Sequence, residues 1–339
     1  MIKNKWALTC LWVLAVLYAA AIFAPVLAPY GFADEERNYS YCPPTPVEFF
    51  DHGKLVWPFV YGRHFTFNED HRRVYVTDKD EKYRLSFFSK GRLFTVNAPG
   101  RFYVLGADSR GRDLFSRLLY GARVSLSIGL LGVLISFGLG LILGGIAGYY
   151  GGIADAVLMR FCEMFMLVPG FYLMLALRSA VPDNFNSVQI YVMVVGILSL
   201  IGWASLARVI RGMALSLRER DYVAAAKLMG LSDLGVIVRH ILPHTLSYSL
   251  VAIMLTIPGY ILGEAGLSLL GLGIQDPVPS WGNLLTEAMG IVHIQFAPWI
   301  LLPGLLIFVA VICFNVVGDA LRDTLDPLMK GVKGGTVSK

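Results

Sequence analysis

Few residues of this 339-residue chain combine a reactive type with a setting in which they could do chemistry. Two carboxylates, Glu163 and Glu264, fall inside long, largely uncharged stretches. A carboxylate within a membrane span is costly, so by default it marks a substrate or ion pathway unless a neighbour neutralises it. Glu163 follows Arg160 by one helical turn, which suits an ion pair near the membrane surface. Glu264 lies among Pro258, Gly259, Gly263 and Gly266. A backbone so interrupted is tolerated in a membrane only against neighbours or a water-filled path. These two acids are the candidate pathway residues. His240 and His244 are four apart but straddle Pro243, so no regular two-ligand helix face is expected. His52, His64 and His71 match no metal spacing and read as solvated or packed side chains. Cys10, Cys162 and Cys313 fall in apolar runs and Cys42 stands alone in a polar one, so neither a disulfide framework nor a cysteine-based zinc site can be assembled. The only Gly-Lys pair, Gly53-Lys54, is followed by Leu55, so no phosphate-binding P-loop exists, and H-E-x-x-H and G-x-S-x-G are absent. No catalytic residue, metal ligand or cofactor is assigned, and the chain is not expected to be an enzyme.

The composition explains why reactive groups are scarce. The chain is 56% hydrophobic and 16% charged, against roughly 25% charged in soluble domains. Its charges gather in residues 34–123, in the loop after Arg208 and at the C-terminus. This is the composition of an integral membrane protein. Its net charge of +5 reflects loop bias, and no nucleic-acid partner is expected. About 20 apolar residues span a bilayer. Spans are expected at residues 6–28, 124–149, 156–181, 188–210, 245–270 and 298–317, six in all. Pro169-Gly170 sits in the middle of the third. Gly140, Gly144 and Gly148 form a small-residue stripe on the second, suited to close approach by another helix.

The organisation expected is an N-terminal span (1–29), a small folded insertion (30–104), an amphipathic segment lying on the membrane surface (105–123), a membrane core (124–318) holding a long loop (211–244), and a tail (319–339). In the insertion, residues 74–76, 83–88 and 92–96 read as strands separated by charged turns such as 77–82. In the segment 105–123, Asp108 and Ser109 are candidate helix caps. Lys3, Lys5, the loop's Arg208, Arg211, Arg218, Arg220, Lys227 and Arg239, and the tail's Arg322, Lys330, Lys333 and Lys339 contrast with residues 272–297, which contain no Lys or Arg. The positive-inside rule then places both termini and the loop in the cytoplasm, the parity that six spans require. In the loop, Ala225, Ala226, Lys227, Leu228 and Met229 before Gly230 read as a short helix and sharp turn. A second piece follows and is expected to stop at Pro243. So apolar and ordered a loop calls for a partner surface.

That loop resembles the EAA loop of ABC-importer permeases, here AAAKLMG at 224–230 and HILP at 240–243, with Ala224 where the family usually has Glu. LGADSRGRDLFSRLLYGARVSL, GLSLLGLGIQDPVPSWGNLL and GDALRDTLDP are similar to the second, C-type permease of the oligopeptide/dipeptide/nickel importer group. The long insertion resembles that of Yej-type peptide importers. The resemblance implies an all-α polytopic fold with six membrane helices, that of type I ABC importer permeases, here with a β-rich extracytoplasmic insertion, in the bacterial inner membrane. It implies import of short peptides, with a metal chelate such as nickel as the alternative cargo. It implies a second homologous permease, two cytoplasmic ATPases that carry the ATP and Mg, and an extracytoplasmic solute-binding protein, with membrane lipid around the spans. It assigns ATPase coupling to Tyr222, Ala225, Ala226, Leu228, Gly230, Leu231, His240 and Pro243. A stand-alone secondary transporter and a membrane-anchored sensor are the competing classes.

Overall fold

The computed structural model describes residues 5–51, 54–69, 73–89, 91–180, 182 and 185–325. Lys3, His52, His71, Asp326-Pro327 and the tail lysines Lys330, Lys333 and Lys339 lie outside these residues. The chain divides into two compact units, one of Met1–Leu14, Ser127–Glu264 and Val309–Lys339, the other of Ala15–Leu126 and Ala265–Phe308.

Among the described residues, five helical stretches are long and apolar enough to cross a membrane: Lys5–Ile22 (α1), Leu114–Tyr150 (α3), Ser187–Arg218 (α6), Asp233–Leu269, and Pro298–Leu325. A short α2 (Ala24–Leu27) follows α1. Gly152–Leu167 (α4) and Gly170–Ser179 (α5) make a sixth span if counted together, although they bend by 87°. The sequence predicts one helix there, and the bend has a local cause. Val168 precedes Pro169 and is extended, with φ −87° and ψ 126°, because the proline ring excludes the α conformation from the residue before it.

Pro243 acts the other way. It is expected to end a helix, yet α7 (Asp221–Leu228) and α8 (Asp233–Val236) lead through a π-helical turn at Ile237–Ile241 directly into α9 (Leu242–Leu269). A proline in the second position of α9 gives up an amide proton that a helix start does not need. The π turn is the local widening that lets the two helices run on as one.

The glycine stripe of α3 packs on α6. A Cβ at Gly144 would stand 2.4 Å from the Ala207 carbonyl, and one at Gly148 2.6 Å from Ala214. Only hydrogen fits at such an approach.

In the second unit the segment 105–123 is not a separate surface helix. Gly106 and Gly111 have φ of +85° and +74°, in the left-handed region where a helix cannot continue. Residues 105–113 therefore form a tight loop, and α3 begins at Leu114 and runs without a break. Asp108 accepts from the Arg110 and Arg112 amides inside that loop, and Asp113 caps α3 through the Ser116 amide at 2.8 Å. The insertion is an antiparallel meander of β1 (Glu48–Asp51), β2 (Lys54–Phe67), β3 (Arg73–Ser89) and β4 (Arg92–Val96), in that order. The expected turn at 77–82 belongs to one continuous β3. Its charged residues are absorbed in a register irregularity, where Tyr61 faces Lys82 and the next residue, Gly62, faces Asp78. The remaining short helices are α10 (Trp281–Leu284) and α11 (Ile291–Phe296), before α12 (Leu302–Leu325).

Candidate coupling surface and pathway

Asp221 in its first turn and Lys227 in its last align α7 with the helix dipole. Two hydrogen bonds close it. The Gly230 amide donates to the Lys227 carbonyl at 2.9 Å and the Leu231 amide to the Ala226 carbonyl at 3.2 Å. This pair is the Schellman motif, which needs a left-handed residue at Gly230, and its φ is +82°. A Cβ there would meet nothing within 4 Å, so substitution costs backbone strain alone. Gly230→Ala is expected to loosen the motif by about 1–2 kcal/mol. Hydrogen exchange should read this as roughly tenfold faster exchange at the Leu231 amide, with no change in the spans.

The loop is held from below by its own core. Val223, Ala226, Val236, Ile237 and Ile241 pack with Tyr149 of α3 and Ala214 of α6. The Tyr149 hydroxyl donates to Asp233 at 2.5 Å, and Lys227 Nζ stands 4.6 Å from the centre of the Tyr149 ring. What this core leaves outside is unusual. Leu228 is 90% and Met229 73% exposed, and Leu234 and Val238 are exposed beyond them. Helix packing has no use for these four side chains.

Of the eight residues predicted for coupling, Tyr222, Ala225, Leu228, Gly230 and Pro243 are exposed, Leu231 and His240 half-buried, and Ala226 wholly buried. Tyr222 lies against His244, ring centres 5.3 Å apart, and more distantly against His240 at 6.4 Å. Sequence reasoning passed over Met229, Leu234 and Val238. The available signal was the number of large apolar residues, more than so short an element can bury. Among the described residues no three His, Cys, Asp or Glu side chains gather as a metal site.

The pathway candidates do not come together. Glu163 pairs with Arg160 at 2.9 Å and with Arg208 of α6 at 3.6 Å. Glu264 is fully buried in α9. Neither lines the cavity of about 180 Å³ formed by Ser136, Ser205, Tyr248, Thr256 and apolar neighbours. Beside it the Tyr260 and Ser136 hydroxyls share a hydrogen bond of 2.5 Å, and Ser136 donates to the Ser199 carbonyl at 3.1 Å. Gly202 must lack a side chain, since a Cβ would sit 1.8 Å from the Tyr260 hydroxyl. Arg178, at the end of α5, is 3% exposed, and the sequence reading did not single it out.

The second unit holds a charge network in which Asp108, Arg112 and Arg117 are buried and Asp276 lies exposed at the rim. Asp108 receives Arg112 Nε at 2.6 Å and faces Arg117 at 3.3 Å. Asp276, about 160 residues on, receives Arg117 at 2.7 Å and Arg112 at 3.1 Å. Burial raises the Asp276 carboxyl, but Arg117, Arg112 and Arg110 outweigh it and hold the group below its ordinary value. Glu287 accepts from the Ser109 hydroxyl at 2.7 Å and is pushed up, first by burial and then by Asp108.

Asp113 is pushed furthest. Burial takes it from 3.8 to about 7, despite the bonds from Ser116 that favour the charged form. A raised carboxyl contributes stability that is full below about pH 4 and lost as the pH rises through about 7. Detergent-solubilised protein should therefore melt lower at pH 8 than at pH 5. Asp113→Asn keeps the acceptor for Ser116 and should flatten that slope; an unchanged slope would remove Asp113 as its source.

Comparison with known proteins fits these elements. Residues 140–331 match the family described as the binding-protein-dependent transport system inner membrane component. Residues 1–44 match the N-terminal TM domain of oligopeptide transport permease C. The chain belongs to this family of inner-membrane transport components. Within it, the glutathione transport system permease protein GsiD of Pectobacterium atrosepticum is 41% identical over 246 residues, covering 72% of this chain and 78% of the relative. The oligopeptide transport system permease protein OppC of Haemophilus influenzae is 39% identical over 227 residues, covering 67% and 70%. The chain thus falls in the C-type permease group of the peptide and glutathione ABC importers. The inward-facing MetNI methionine ABC transporter aligns at a TM-score of 0.46 and 18% identity, covering 63% of this chain and 98% of that one.

Proposed function

We propose that this permease forms one half of the membrane pathway for short peptides and takes its drive from a cytoplasmic ATPase seated on the loop 221–241. The observation that carries the reading is the exposed patch of Leu228, Met229, Leu234 and Val238 on a loop anchored rigidly by its own core. Large exposed apolar side chains on a rigid support are what a protein partner buries. A second permease completes the pathway, two ATPases carry the ATP and Mg, and an extracytoplasmic binding protein delivers the cargo. Arg208, Arg211, Arg218, Arg220, Lys227 and Arg239 set the loop, and with it both termini, on the cytoplasmic side. The names of the GsiD and OppC relatives support glutathione-sized or larger peptides as cargo.

The hydroxyl-lined cavity of Ser136, Ser205, Tyr248 and Thr256 is the stretch of pathway this chain contributes. Glu264 lies outside that cavity and, fully buried in α9, serves to fix that helix. Glu264→Gln is expected to lower uptake and folded yield together; uptake lost at unchanged yield would instead put Glu264 in contact with cargo. Glu163, tied to two arginines, serves to hold α4 to α6.

The function is tested by purifying the tagged chain in mild detergent, reconstituting what elutes with the binding protein, and following labelled tripeptide uptake. Uptake that requires ATP and stops with vanadate is expected. Solute movement by the single chain without ATP would make it a secondary carrier.

A further inference from the structure

The cavity of Ser136, Ser205, Tyr248 and Thr256 has a larger neighbour, and Tyr248 and Ala252 of α9 line both. The neighbour measures about 680 Å³ against about 180 Å³ for the first. Only the larger of the two falls in the range of roughly 300–1,000 Å³ typical of sites that enclose a small organic ligand. His244, Tyr248, Val251 and Leu255 line it at intervals of three or four residues, so one face of α9 forms this wall. Thr256 carries the same face on into the smaller cavity. Every residue that lines either cavity belongs to the first of the two units.

Arg322 sets the chemistry of the larger cavity. It lies in the last turn of α12 and contributes to the wall. Asp319 and Asp323 flank it on the helix, yet neither lines the cavity. Among the described residues Arg322 forms no ion pair. The lining therefore carries one full positive charge, the hydroxyls of Ser247 and Tyr248, the His244 imidazole and no acid. A guanidinium is a planar fork of donors that matches a carboxylate.

His244 joins this cavity to the coupling loop. Its ring centre lies 5.3 Å from that of Tyr222, in the first turn of α7. One side chain thus serves both the cavity wall and the segment on which the ATPase is seated.

We infer that this cavity is the chamber at the cytoplasmic end of the pathway that receives short peptides, with Arg322 holding the cargo's C-terminal carboxylate. The inference rests on the permease reading above, which makes this end of α9 the cytoplasmic one. It adds a charged residue to a pathway otherwise lined by hydroxyl and apolar groups, and it places the bound cargo against a wall shared with the coupling loop.

The test uses the tagged chain with the subunits that co-purify, in phosphatidylcholine nanodiscs without nucleotide or binding protein. Ser247→Cys, a change of one atom on an exposed wall residue, is labelled with a water-soluble maleimide, and the extent at that position is read by mass spectrometry. Tri-alanine is expected to slow the labelling several-fold, and its C-terminal amide to leave it unchanged. Arg322→Gln should raise the protecting concentration about tenfold or more, the scale of one charge-assisted hydrogen bond, and Arg322→Lys should restore part of the protection. No protection by tri-alanine, equal protection by the amide, or unchanged protection in Arg322→Gln would overturn the inference. So would a position 247 that never labels, which means that a protein surface fills the chamber. If the slowing comes from anionic phosphatidylglycerol and not from tri-alanine, the site belongs to a lipid headgroup and the inference falls equally. The same preparation with binding protein added separates this failure from that of the permease reading. Where its peptide uptake needs ATP and stops with vanadate, only the chamber assignment is lost; uptake without ATP removes the permease reading and this inference with it.

Discussion

Leu228→Asp combined with Met229→Asp is expected to abolish peptide uptake while leaving the permease folded, inserted and paired with its partner permease. Both side chains point away from the chain's own core, being 90% and 73% exposed. Neither supports the Schellman closure, which runs through the amides of Gly230 and Leu231. Buried at a partner surface, two such residues act as anchors worth about 2 kcal/mol or more each. Replacing them with carboxylates adds the desolvation of two charges. Loss of ATPase binding by about 1000-fold or more is the expected scale. Gly230→Asp should act in the same direction through both strain and charge. The contrast is with Ala226, which is wholly buried. A large residue there should cost folded protein first and uptake only as a consequence, by overfilling the pocket between Val223 and Tyr149.

Arg117→Ala is expected to be among the most destabilising single changes in the chain, by about 3–5 kcal/mol. Arg117 is 2% exposed and reaches Asp108 and Asp276 with different guanidinium nitrogens. Its removal leaves buried Asp108 and the more exposed Asp276 to share Arg112. Lysine should not rescue it, because a single ammonium cannot span both carboxylates as a planar fork does. The signature separating this from simple loss of packing is non-additivity. Adding Asp276→Asn to Arg117→Ala should cost much less than Asp276→Asn alone, measured as thermal stability in detergent. Equal costs in both backgrounds would mean that the two residues do not act as one network.

What the sequence revealed and what it hid follow the range of the forces involved. The apolar spans and the small-residue stripe at Gly140, Gly144 and Gly148 were readable, because each is decided within one or two turns of chain. So was the turn at Gly230, since a left-handed cap after an Ala-rich helix has a local signature. Pro243 misled. A proline stops a helix interior but is tolerated at a helix start, and the π turn at Ile237–Ile241 that turns one case into the other has no signature in residue types. The segment 105–123 misled for a related reason. Its leucines have helical spacing, but Gly106 and Gly111 at positive φ delay the helix to Leu114. The charge network was out of reach altogether, because Arg117 and Asp276 lie about 160 residues apart and no local pattern joins them. In the candidate site the reading found the loop but weighted small residues over large ones. Ala226, expected at the partner contact, serves the core, whereas Met229, Leu234 and Val238, not singled out among the loop's apolar residues, face outward.

The measurement that bears most directly on the coupling role is photo-crosslinking in native membranes, with a photoreactive amino acid placed in turn at Leu228, Met229 and, as a control from the sheet, Phe88. The account predicts adducts between the two loop positions and a cytoplasmic ATPase subunit, with yields that change when ATP is trapped by vanadate, and none from position 88. If importer-competent membranes give no ATPase adduct from Leu228 or Met229, the exposed patch on this loop is not where the ATPase engages and the account is contradicted.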